Sequence, residues 1–156
     1  MKLPHTDKSP RLRLFGSPVH PPLTYIPATF LMTGPVCDML ATKTRSKDLA
    51  KAGYWQQLIA SVMAPVVMLT GLLDWLRMPA DAPGKKMGVA HAFLNYAAAG
   101  VTGAGLLRRR AKPQDHKRID PRLSAATLGL VAVSAHLGGE LAYRHGVRSE
   151  RAQPLR

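Results

Sequence analysis

Three histidines, two carboxylates and an amide carry the chemistry available to this 156-residue chain: His20, Asp74, His91, Asn95, Glu140 and His145. Imidazole nitrogens and carboxylate oxygens are ligands for divalent transition metals such as Zn²⁺, Fe²⁺ and Mn²⁺. Paired imidazoles on facing helices are the axial ligands of a b-type haem. His91 and Asn95 are four residues apart and share a helical face. His91 and His145 belong to different apolar stretches at similar depth, so a haem axial pair is one reading. A divalent metal held by His20, His91, Glu140 and His145 is a second. The third needs no ligand: Asn95 bonds His91, Glu140 pairs with Arg144 one turn on, and Asp74 caps loop amides. A P-loop, a hydrolase elbow, a dinucleotide fingerprint and a CxxC pair are all absent, so no catalytic residue is assigned and hydrolytic or transferase chemistry is not expected.

The elements that must position these residues follow from how charge is distributed. All 22 Lys and Arg residues lie in five short blocks. Between them run four apolar stretches, residues 23–42, 54–76, 87–107 and 123–143. Each is about 20 residues long, the length of helix that crosses a hydrocarbon core of ~30 Å. A soluble amphipathic helix would carry charge on every second turn, and these do not. The expected fold is therefore all-α, a four-helix transmembrane bundle over residues 21–146. A basic, Pro-containing tail (1–20) precedes it and a short tail (147–156) follows. Pro27, Pro35 and Pro65 are expected to kink helices whose freed carbonyls find other partners. The first 20 residues contain no apolar signal core, so the helices themselves direct insertion. The net charge of +13 comes without aromatic interleaving, which points to anionic lipid headgroups and the bilayer as partner and away from nucleic acid. The expected location is a cell membrane, multi-pass, and in a bacterium the inner membrane.

With four spans the two tails share a side. The tails and the 77–86 connection hold 11 basic residues, and the connections at 43–53 and 108–122 hold 11. Arg108, Arg109 and Arg110 directly abut the third span, which favours a cytoplasmic position for that second pair of connections. The six residues named above gather at the tail-bearing end. At the other end Asp38 is read as interfacial, and the Arg run as solvated charge. Trp75, Tyr54 and Trp55 are read as interfacial aromatic anchors. The small residues of the third and fourth spans, Gly100, Gly103 and Gly105 with Ala125, Gly129, Ser134 and Gly138, are read as helix-packing positions.

Four short motifs give this pattern a family likeness. Gly16-Ser17-Pro18-Val19-His20-Pro21 opens the membrane region, and Gly71-Leu72-Leu73-Asp74-Trp75 closes the second stretch. His91 to Asn95 opens the third, and Gly138 to Val147 closes the fourth. Together they resemble the DUF2231 family of predicted bacterial membrane proteins over roughly residues 15 to 148. The family opening carries a histidine where this chain has Ser17, so any ligand role at that position is lost. The resemblance implies no defined activity. Relatives joined to Rieske-type iron–sulfur domains imply a redox partner and an electron-transfer role. The expected function is thus a structural or redox-associated membrane subunit with a polar cluster at one face, with a haem- or metal-binding electron carrier as the alternative.

Overall fold

The computed structural model describes residues 13–14, 17–82 and 84–143. Its body is four antiparallel helices: α1 (His20–Thr44), α2 (Lys47–Arg77), α3 (Gly84–Arg109) and α4 (Pro121–Tyr143). A two-residue antiparallel pairing, β1 (Arg13–Leu14) with β2 (Ser17–Pro18), precedes α1. The helices form a ring: α1 lies between α2 and α4, α3 packs on α4, and α2 and α3 touch least.

Local sequence explains the helix ends. Proline in the first turn starts α1, where a missing backbone N–H costs nothing. Arg45, in left-handed conformation at φ 59°, ends it. Ser46 then caps α2, its hydroxyl accepting from the Leu49 amide at 3.2 Å. The α1–α2 connection is therefore two residues, much shorter than the 43–53 segment between the expected spans. With 31 residues α2 is about 46 Å long and projects beyond a bilayer core. Pro27 and Pro35 are buried within α1 and Pro65 is exposed on α2, and the sequence around all three stays helical.

The packing is inside-out relative to a soluble bundle. The most completely buried side chains include Arg109, Thr102, Thr127 and Ser134, and half of the buried hydrophobics are alanines: Ala41, Ala50, Ala60 and Ala98. The large apolar side chains face outward: Ile26 and Val36 on α1, Val62 and Leu69 on α2, Phe93 and Leu107 on α3, Val133 on α4. A water-soluble bundle buries its leucines and exposes its charges. By length and composition two helices, α2 and α4, are apolar enough to cross a membrane.

The tail-bearing turn between α2 and α3 is fastened by one pair of residues. Trp75 Nε1 donates to the Lys85 carbonyl at 3.0 Å. Lys85 Nζ donates to the carbonyls of Trp75 and Met78, both at 2.8 Å, and lies 4.2 Å from the Trp75 ring centroid. Gly88 leaves room for the indole, since a Cβ there would lie 2.7 Å from Trp75 Cδ1. Trp75 is thus a turn-locking residue, beyond the interfacial anchoring read from sequence.

Candidate functional site

The most extensively built polar site is at the end opposite the six expected residues. Asp38, on α1, is 2% exposed, and its carboxylate accepts a hydrogen bond from each of the other three helices. Gln57 on α2 donates from Nε2 at 2.6 Å. Arg109 on α3 donates through both terminal nitrogens, at 2.7 and 2.8 Å. Ser124 on α4 donates its hydroxyl at 3.4 Å. The guanidinium, also 2% exposed, further reaches the Ala50 carbonyl at 3.4 Å and lies 5.4 Å from the Tyr54 ring centroid. A parallel two-bond fork between guanidinium and carboxylate is the strongest geometry such a pair adopts.

Each of these positions follows from helical phase. Beyond Gly84 at its start, the buried residues along α3 are Ala98, Thr102, Leu106 and Arg109, spaced four, four and three apart, so Arg109 continues the inward stripe that its neighbours Arg108 and Arg110 leave. As a cation in the last turn of α3 it also suits the negative end of the helix dipole. Gly34 and Gly53 let α1 and α2 approach closely. A Cβ on Gly53 would collide with Asp38 Oδ1, and one on Gly34 would lie 2.8 Å from Gln57 Cγ. Ile119, from the α3–α4 connection, packs on Ala41 and Ala50 and closes this end. Beside the ion pair is a cavity of about 10 Å³, the scale of a single water position, lined by Asp38, Arg109, Asp120, Ser124 and Thr127 among others. Asp38 as an interfacial residue, Arg109 as solvated charge and Tyr54 as an interfacial anchor are all overturned by this geometry.

Among the expected site residues, His91 and Asn95 come together. His91 Nδ1 donates to the Ser134 carbonyl at 2.9 Å, and Nε2 accepts from Asn95 Nδ2 at 3.0 Å. Ser134 closes the set, its hydroxyl donating to Asn95 Oδ1 at 2.9 Å. Both ring nitrogens of His91 are engaged by protein, so a metal or haem iron would have to displace Asn95 or Ser134. His20, the first residue of α1, packs against α2, with Nδ1 3.0 Å from Thr70 Oγ1. Asp74 and Glu140 are half-buried at the same end, and His145 lies outside the described residues. No group of three or more His, Cys, Asp or Glu with metal-holding geometry occurs among the described residues.

The motif glycines serve these histidines. A Cβ on Gly71 would lie 2.8 Å from His20 Cε1, and one on Gly138 would lie 3.0 Å from His91 Cε1. The opening motif therefore meets the second, and the third meets the fourth. The small residues of α3 and α4 divide differently from expectation. Gly138 and Ser134 pack inward, but Gly100, Gly103, Gly105 and Gly129 have no atom beyond their own helix within 4 Å of a built Cβ. Gly100 and Gly129 are exposed, off the buried stripe, and Gly105 borders the small cavity beside Arg109, so none of the four makes a close α3–α4 contact.

Midway between the two ends, Thr102 and Thr127 hydrogen-bond at 3.2 Å across the same α3–α4 seam. Polar contacts thus recur along that seam, from Arg109 and Ser124 through the threonines to Asn95, Ser134 and His91. No buried side-chain nitrogen or oxygen among the described residues lacks a partner.

No curated protein and no solved structure matches the chain. A family model described as a predicted membrane protein does match, over residues 16–151, which takes in all four helices and both polar sites. The inside-out packing and the paired motifs agree with that description, and the chain belongs to the DUF2231 family of predicted membrane proteins.

Proposed function

We propose that the protein is a structural membrane subunit whose four helices all cross the bilayer, its buried polar residues serving to hold those helices together. One observation carries this reading: a single buried carboxylate, Asp38, takes donors from all three other helices. Charge inside a membrane domain is costly unless paired and turned inward, and here it is both. The satisfied His91–Asn95–Ser134 set extends the same logic to the other end. Outward-facing apolar side chains on α1 and α3 support crossing by these helices as well as by α2 and α4.

Cysteine accessibility in a Cys37→Ser background tests the four crossings. Ser46→Cys and Gln114→Cys are expected to label from one side of the membrane, and Ala80→Cys from the other. Labelling of all three from the same side ends the four-span reading.

The structural role has its own measurement. His91→Ala is expected to lower stability by about 1 kcal/mol, the scale of interhelical hydrogen bonds in membranes. The purified parent should show no Soret band and no stoichiometric transition metal. A haem spectrum or a bound metal that His91→Ala abolishes would establish the cofactor reading instead.

A further inference from the structure

We infer that the end of the bundle bearing the Asp38–Arg109 pair is a binding face for anionic lipid headgroups, with its phosphate contacts supplied by the two connections there. Lys43, Arg45, Lys47 and Lys51 are all exposed around the α1–α2 turn. Arg108, Arg110, Lys112, Lys117, Arg118 and Arg122 are exposed around the α3–α4 connection. Against these ten cations stand Asp48, Asp115 and Asp120. Only Arg108 and Arg118 of the ten reach a carboxylate among the described residues, at 3.8 and 3.5 Å and on exposed side chains. At the opposite helix ends the described residues include three cations, Arg77, Lys85 and Lys86, and three carboxylates, Asp74, Asp81 and Glu140, and Lys85 is already held by backbone carbonyls. Among the described residues, the excess of cations over carboxylates is therefore larger at the Asp38–Arg109 end.

So many unpaired like charges repel one another within a Debye length, and a surface of opposite charge relieves that repulsion. What selects a lipid is the apolar surface beside the cations. Leu40 is 45% exposed within one turn of Lys43, Trp55 is 48% exposed one turn from Lys51, and Leu107 is 65% exposed next to Arg108. Headgroup phosphate at the cations and acyl chain on these side chains is the arrangement of a phospholipid. A nucleic acid would have no use for the apolar half. The leaflet richer in anionic lipid, the cytoplasmic one, is then where this end sits.

The inference rests on the membrane-spanning reading, and one experiment separates the two. Full-length protein is reconstituted in phosphatidylcholine vesicles containing phosphatidylglycerol, with bromine on the acyl chains of one lipid or the other, and tryptophan quenching is read. A Trp75→Phe variant leaves Trp55 reporting this end, and Trp55→Phe leaves Trp75 reporting the other. The expected result is a preference for phosphatidylglycerol at Trp55 of at least about fivefold, the effect of roughly one basic residue at an anionic surface. Trp75 should show none. High salt should erase the preference, as should Gln substitution of the six basic residues of the α3–α4 connection. If that variant fails to fold, the salt dependence of the parent decides alone. Equal quenching by the two lipids overturns the headgroup assignment, and so does an equal preference at Trp75. A preference removed by a single-stranded oligonucleotide would mean a nucleic-acid site and also overturn it. No quenching by either lipid would instead sink the membrane-spanning reading.

Discussion

Asp38→Ala is expected to destabilise the bundle by about 3–5 kcal/mol, the cost of leaving one half of a buried ion pair without its partner. The guanidinium of Arg109 is 2% exposed and sits at the end of α3 behind Ile119, so water has little access to replace the lost carboxylate. Gln57 and Ser124 lose their acceptor at the same time, and a contact shared by all four helices is lost. The companion changes separate pairing from mere burial. Arg109→Ala alone leaves an uncompensated carboxylate and is expected to cost a similar amount. Asp38→Leu combined with Arg109→Met removes both charges while keeping volume, and should recover most of the loss, because a buried pair is expensive to break and cheap to replace whole. Reversible unfolding in mixed micelles, arranged as a double-mutant cycle with Asp38→Ala and Arg109→Ala, gives the coupling directly. A coupling near zero, or an Asp38→Ala protein within about 0.5 kcal/mol of the parent, would remove the ion pair from any account of what holds the helices together.

The pattern of this site explains what could be read from the chain beforehand. Four helices and their family were legible because charge and apolar residues are segregated along the sequence, and because the four motifs have distinctive residues. The neighbourhood of His91 and Asn95 was legible through their spacing of four. The Asp38–Arg109 pair was not, for two physical reasons. Arg109 lies inside a run of three arginines, and only helical phase distinguishes the one that points inward. The buried positions Ala98, Thr102 and Leu106 contain that phase, but alanine and threonine give it no hydrophobic signal. Asp38 and Arg109 are moreover 71 residues apart and on helices diagonal to each other in the ring, so no local spacing links them. The contacts of Tyr54 and Trp75 escape the sequence for a related reason. Aromatic residues at span ends suit an interfacial belt by composition, and their actual partners, Arg109 and Lys85, come from other helices.

Glycine shows the same divide between composition and contact, and it supplies the second large effect. Gly53→Ala is expected to cost about 1–3 kcal/mol, the range for forcing extra volume into a packed interior. The added methyl would collide with Asp38 Oδ1 and lie 2.8 Å from the Gly34 carbonyl oxygen. The first neighbour is the acceptor of the ion pair and the second is backbone, so neither can yield without moving α1 away from α2. Gly100→Ala and Gly129→Ala place the same methyl where nothing beyond the helix lies within 4 Å. There the better helix propensity of alanine acts alone, and the change should be neutral or stabilising by up to about 1 kcal/mol. The sign therefore differs between glycines that sequence alone treats alike. Part of the Gly53→Ala cost passes through Asp38, so in an Asp38→Ala background the same substitution should cost less, with the remainder due to the Gly34 carbonyl. Unfolding free energies of the two single variants and the double variant measure that share. Equal costs for Gly53→Ala in the presence and absence of the Asp38 carboxylate would mean that the close approach of α1 and α2, and not the room left for the carboxylate, is the whole reason for glycine at this position.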